Sequence, residues 1–160
     1  METDGLAQLR KRVEAATGPD RTIDLLIGLT IDGWQIGNLI DGRFFPILGG
    51  TLVRDSSGNI NVAAPGGMYP APTESIDASL ALVQRKLPGW SLHIHVHPDE
   101  AHADLYRLGD LVTKDGQLYR PVTAGPFDAG PLPTLPLAIL SALISALAYE
   151  KQSSPTPETA

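Results

Sequence analysis

The run Trp90-Ser91-Leu92-His93-Ile94-His95-Val96-His97-Pro98-Asp99-Glu100-Ala101-His102-Ala103-Asp104-Leu105-Tyr106-Arg107 alternates polar and apolar side chains on both sides of a Pro-Asp-Glu-Ala break. Successive side chains of a strand point to opposite faces, so period-two alternation marks strands with one face buried. The stretch predicts an antiparallel hairpin with a four-residue turn at 98–101. In that register His97 faces His102, His95 faces Asp104 and His93 faces Tyr106. Leu92, Ile94 and Val96 then share the core face with Ala103, Leu105 and the stem of Arg107.

Helices are predicted on both sides of this hairpin. Upstream, Thr73 or Ser75 caps a helix in which Asp77 favours the dipole and Ile76, Leu80, Val83 and Leu87 recur on one face, and Pro88-Gly89 ends it. Nearer the N-terminus, Leu6, Leu9, Val13 and Ala16 recur at three- and four-residue steps, an amphipathic helix stopped by Gly18-Pro19. A second helix starting at Asp20 or Thr22 carries Ile23, Leu26 and Ile27 inward. Downstream, Leu111 to Arg120 reads as a further hairpin around Asp115-Gly116, and a Gly/Pro-rich connection, 124–133, leads to the last helix. That helix, Leu135 to Tyr149, has Thr134 as its cap and Pro136 in its first turn; apolar on most sides, it is expected to be the most buried.

Between residues 28 and 72 Gly, Pro and Asn recur among short apolar pairs, predicting turn-rich β or irregular structure. Asp32-Gly33 and Asp41-Gly42 are tight-turn dipeptides, and Ser56-Ser57-Gly58-Asn59 closes a hairpin between Leu52-Val53 and Ile60-Val62. The stretch 64–72 reads as an exposed loop. The fold expected from these elements is α+β, an antiparallel sheet of hairpins covered by three to four helices in an α-β-α sandwich. Residues 1–151 form the single domain, with 28–72 as an inserted region and 152–160 as a disordered polar tail.

Composition narrows the function classes. A chain of 160 residues that is 42% hydrophobic and 19% charged is far from the signature of disorder. Its net charge of −6, with Lys and Arg scattered, lacks the cationic surface that releases phosphate counterions, so no nucleic-acid partner is expected. The absence of cysteine excludes thiolate chemistry and fits a reducing cytosol. No basic start or apolar core of a signal peptide is seen, and the apolar run at 135–149 is too short to cross a bilayer, so no membrane partner is expected.

Three stretches together resemble the phage and prophage ABA sandwich family: Arg12 to Arg21 followed by Ile23-Asp24, Ser75 to Val83 ending at Gly89-Trp90, and Leu135 to Ala148. They cover somewhat under half of the chain and are packing motifs. The resemblance implies helices covering an antiparallel sheet and no catalytic residues. The 28–72 region and the histidines lie outside the family pattern.

All four histidines fall within His93 to His102. The predicted register gathers His93, His95, His97, His102 and Asp104 on one side, where imidazoles about 5 Å apart could share zinc or nickel with His95, His97, His102 and Asp104 as the expected ligands. The same pattern is more simply that of a histidine-rich polar face. The His-Glu-x-x-His, Gly-x-Ser-x-Gly and phosphate-loop signatures are absent. Trp34, Phe44, Phe45 and Tyr69 are either core or, if exposed, a protein-binding surface. The function expected is that of a small phage or prophage accessory protein without a cofactor. It would bind another protein (a host factor, defence component or virion subunit) in the bacterial cytoplasm. The alternative is a metal-binding module or metal-dependent hydrolase built on the histidine hairpin.

Overall fold

The computed structural model describes residues 2–46, 51–64 and 66–154. Two helices open the chain, α1 (Glu2–Ala15) and α2 (Arg21–Thr30). Four short strands follow, β1 (Gln35–Ile40), β2 (Arg43–Pro46), β3 (Leu52–Arg54) and β4 (Ile60–Val62). After them come α3 (Ile76–Lys86), β5 (Trp90–Val96), β6 (Ala101–Leu108), β7 (Val112–Lys114), β8 (Gln117–Tyr119), β9 (Val122–Leu132) and α4 (Leu135–Ser153). The class is α+β, with antiparallel sheets ordered β2-β1-β3-β4, β5-β6-β9 and β7-β8.

The main core lies between the three-stranded sheet and the helices. Helix α4 packs across β6 and β9 and is flanked by α1 and α3. Its Leu137, Ile139, Leu140, Leu143 and Ile144 are fully enclosed together with Leu6, Val13, Ile27, Leu82 and Leu105. Pro136 sits at the first or second position of the helix, where a missing N–H breaks no bond. As expected, α4 is the most buried helix, but it continues through Gln152 and Ser153 and is closed by Ser154, so those residues are not tail. Residues 155–160 of the expected tail lie outside the described residues, as do Ile47-Leu48 and Gly49-Gly50.

Local signals set most element ends. Asp20 caps α2 by accepting from the N–H groups of Thr22 and Ile23, and Ser75 caps α3 through Ala78 N–H. The hairpins β1–β2 and β7–β8 turn on Asp41-Gly42 and Asp115-Gly116, all four residues at positive φ, as a type I′ turn requires. Helix α3 buries Ser79, Leu82, Val83 and Leu87, while Ile76 stays 44% exposed, so its inner face is rotated from the expected one.

Three expectations are corrected. The stretch 124–133 is not a connection but most of strand β9, paired with β6. Two of its three register shifts fall where Gly125-Pro126 and Gly130-Pro131 lie, between the pairs Arg107↔Ala124 and Leu105↔Phe127 and between Ala103↔Ala129 and Ala101↔Leu132. On an edge strand, bulges absorb prolines that a central strand would reject.

Second, the region 28–72 carries the short strands and the 52–53/60–62 hairpin expected of it, but it is not simply an insertion with an exposed final loop. Gly28 to Thr30 still belong to α2, and Val53, Trp34 and Tyr69 form a second cluster with Leu25, Leu29 and Ile36 on the outer side of that helix. The loop after β4 is held down rather than free. Arg21 donates from its two Nη atoms to the carbonyls of Gly67, Tyr69 and Pro70, and its guanidinium lies 3.8 Å from the centre of the Tyr69 ring. Tyr69 returns a bond from its hydroxyl to the Arg21 carbonyl at 2.9 Å.

Third, the β5–β6 turn is tighter than expected. His97 and Glu100 exchange backbone bonds of 2.8 and 3.4 Å, leaving only Pro98 and Asp99 at the tip. The register therefore moves by two residues: His95 pairs with His102, His93 with Asp104 and Ser91 with Tyr106. A shift of two preserves parity, so every side chain keeps its expected face. Burial does not follow parity alone. Ala101, Ala103 and Leu105 on central β6 are buried, whereas Ile94 and Val96 on edge strand β5 remain 41% and 63% exposed.

Candidate functional site

The polar face of the three-stranded sheet carries the chemistry-bearing residues. One row across it is His93, Asp104 and Asp128, each the cross-strand partner of the next. His93 Nδ1 stands 3.7 Å from Asp104 Oδ2. The neighbouring row is His95 and His102, whose ring reaches the backbone at Gly130. Along β5 the His93 and His95 rings meet edge-on at 4.4 Å. His97, beyond the strand end, is 6.2 Å from His102 between ring centres, and His102 Nε2 is 3.5 Å from Glu100 Oε1.

Asp104 and Asp128 are a carboxyl pair. A hydrogen bond to Asp104, its like charge and slight desolvation hold the Asp128 carboxyl above its ordinary range. The pair lies beside an imidazole, but on an open face where water screens it, without the dehydration that gives acid–base groups their catalytic strength.

The predicted metal quartet of His95, His97, His102 and Asp104 is not assembled. The tighter turn moves Asp104 from His95 to His93 and leaves His97 past the last strand pair. Among the described residues no three His, Asp or Glu side chains stand where they could hold a metal ion. Asp128 was missed because β9 was read as a connection; the signal lay in Phe127 and Ala129, apolar residues flanking it at the spacing of a strand.

The aromatic candidates divide. Trp34 and Tyr69 are 6% and 4% exposed, with ring centroids 5.2 Å apart, and belong to the second cluster, so they form no contact surface. Phe45 is 43% exposed and Phe44 is half-buried. Cross-strand pairing places Phe44 and Leu39 on one face of the four-stranded sheet with Gly37, Pro46, Leu52, Val62, Ile60 and Arg54. Val53, by contrast, points to the opposite face, into the cluster with Trp34.

That outward face is built around Gly37. A β-carbon there would come within 2.7 Å of the Phe44 ring and overlap the Phe45 carbonyl, so Phe44 lies over the glycine. The Arg54 guanidinium caps the same ring at 4.9 Å and bonds Gln35 across the strand. Around this centre Leu39, Ile60 and Val62 are 49%, 40% and 56% exposed. Along the free edge of β4, Ile60, Val62 and the 90%-exposed Met68 line an open groove of about 530 Å³.

Behind the sheet, a buried carboxylate network around Asp24 is structural. Asp24 is fully enclosed; its Oδ1 accepts from the Thr73 N–H and hydroxyl, each at 2.8 Å, and its Oδ2 from Arg21 at 3.1 Å. Burial pushes its carboxyl above the ordinary value, against the opposing pull of Thr73 and Arg21. Burial likewise raises the Tyr69 phenol. No helix among the described residues is long and apolar enough to cross a membrane. Comparison with known families, curated proteins and solved structures finds no match to this chain.

Proposed function

We propose that this protein acts by binding another protein, through the outward face of the β2-β1-β3-β4 sheet. The observation that carries the reading is the apolar patch of Leu39, Phe44, Leu52, Ile60 and Val62 on a sheet whose other face packs Ile36 and Val53 into the cluster with Leu25 and Leu29 of α2. A contiguous apolar patch costs solubility, and proteins keep one where a partner covers it. An aromatic centre ringed by aliphatic side chains is the composition of an interface hot spot, and Arg54 above Phe44 supplies the polar anchor.

The resemblance of the helical segments to the ABA sandwich family supports a phage or prophage accessory role, with a host factor, defence component or virion subunit as partner in the host cytoplasm. The alternative, a metal-dependent hydrolase on the histidine hairpin, has less support, because the register pairs His95 with His102 but moves Asp104 to His93, and no three possible ligands stand together among the described residues.

The test is affinity capture from bacterial host lysate with mass spectrometry, wild type beside Leu39→Lys/Val62→Lys. Both positions are exposed, so the variant is expected to melt as the wild type does while losing the captured protein. Equal capture by both overturns this surface as the binding site.

A further inference from the structure

Strand β5 lies at the edge of its sheet and is bonded on one side only, to β6. The reciprocal bonds of His97 and Glu100 set the phase of that ladder. Antiparallel pairs alternate between bonded and non-bonded, and the register runs from Val96 to Trp90 without a shift. His95 and His93 therefore exchange backbone bonds with β6, and the N–H and C=O groups of Leu92, Ile94 and Val96 point to the free edge.

Edge strands are usually blunted by Lys, Pro or a bulge. Residues 90–96 contain neither residue and no bulge, and Ile94 and Val96 add exposed apolar surface. On the opposite face His93 and His95 stand exposed with rings 4.4 Å apart, two metal ligands without a third among the described residues of one chain.

We propose that β5 pairs antiparallel with the β5 of a second copy about a two-fold axis at Ile94, and that His93 and His95 of both copies together hold one zinc-type ion. The phase of the ladder permits this register, and centring it on Ile94 is what brings His93 and His95 of the two copies together. Ile94 meets its own counterpart and Leu92 meets Val96 of the second copy, and these are the residues whose backbone groups are free to bond. His93 then faces His95 of the second copy in a non-bonded pair, the kind in which β-carbons come nearest, about 4.5–5.5 Å. Imidazoles grouped in this way match the nitrogen ligands and tetrahedral geometry that zinc takes. Each copy brings two ligands, so the site is incomplete without the other, and a two-fold contact needs one strand to complement only itself.

The test uses the full untagged chain, with zinc chloride or EDTA, its mass read by sedimentation velocity and its metal content after dialysis. The expected result is a monomer in EDTA and a dimer with one zinc ion per two chains. The His93→Ala/His95→Ala variant is expected to stay monomeric in zinc, as is Ile94→Lys, which sets two like charges against each other at the axis. Circular dichroism melts check that both variants fold. A chain that stays monomeric throughout a zinc titration overturns the proposal, and so does a dimer that survives in either folded variant.

Discussion

The indole of Trp34 occupies the space that a β-carbon on Gly28 would need, and the backbone N–H of Trp34 donates to the Gly28 carbonyl at 2.9 Å. This contact joins the main core to the second one, because α2 buries Ile23 and Ile27 on one side and supports Trp34 on the other.

Gly28→Ala is accordingly expected to destabilise the protein. Alanine gains about 1 kcal/mol in helix propensity, but overpacking against an enclosed ring costs about 1–3 kcal/mol and shifts the sheet as well. In a Trp34→Ala background the same substitution should become neutral or stabilising. Chemical denaturation of the four proteins closes the cycle, and additive effects would show that the two residues are not in contact.

Asp24 links stability to pH. A folded-state carboxyl pushed above its unfolded value binds more protons folded than unfolded, so its contribution is present below the ordinary carboxyl pKa of about 3.9 and is lost as pH rises through the raised value. The stability of the wild type relative to Asp24→Asn should therefore fall as pH rises from about 4 toward neutrality. Urea midpoints across that range measure it; a relative stability that climbs with pH would mean that Arg21 and Thr73 outweigh burial.

Asp104→Asn removes the like charge beside Asp128, and the Asp128 carboxyl should then titrate at lower pH than in the wild type. Carbon-detected NMR titration of the side chain reads this directly. An unchanged midpoint would show that the two carboxyls do not share a proton.

Ile94→Asp and His95→Ala should both be mild, each costing at most about 1 kcal/mol, despite lying on opposite faces. The reason is exposure: at 41%, Ile94 surrenders only part of the burial that makes an isoleucine worth about 1.5–3 kcal/mol. A thermal melt in which Ile94→Asp alone collapses would place a cover over the end of β5.

The sequence by itself determined the features that rest on near neighbours. The Asp20 and Ser75 caps, the Asp41-Gly42 and Asp115-Gly116 turns, the burial of α4 and the side of the sheet on which the histidines lie all follow from residues a few positions apart. Parity survived even though the register moved, since a two-residue shift returns every side chain to its own face.

Tertiary structure decided the rest. Whether the hairpin closed with two turn residues or four depended on which pairs β6 could make, and that choice moved Asp104 from His95 to His93. The Gly-Pro dipeptides at 125–126 and 130–131 read locally as breaks, yet they became bulges in β9 because β6 offered a ladder and the sheet edge left room for proline. Trp34 and Tyr69 became core, and Leu39 and Val62 surface, only when the four-stranded sheet turned one face onto α2. Period-two alternation assigns a side chain to a face, but burial needs a second layer to cover that face, and the covering layer here comes from helices outside the hairpins themselves.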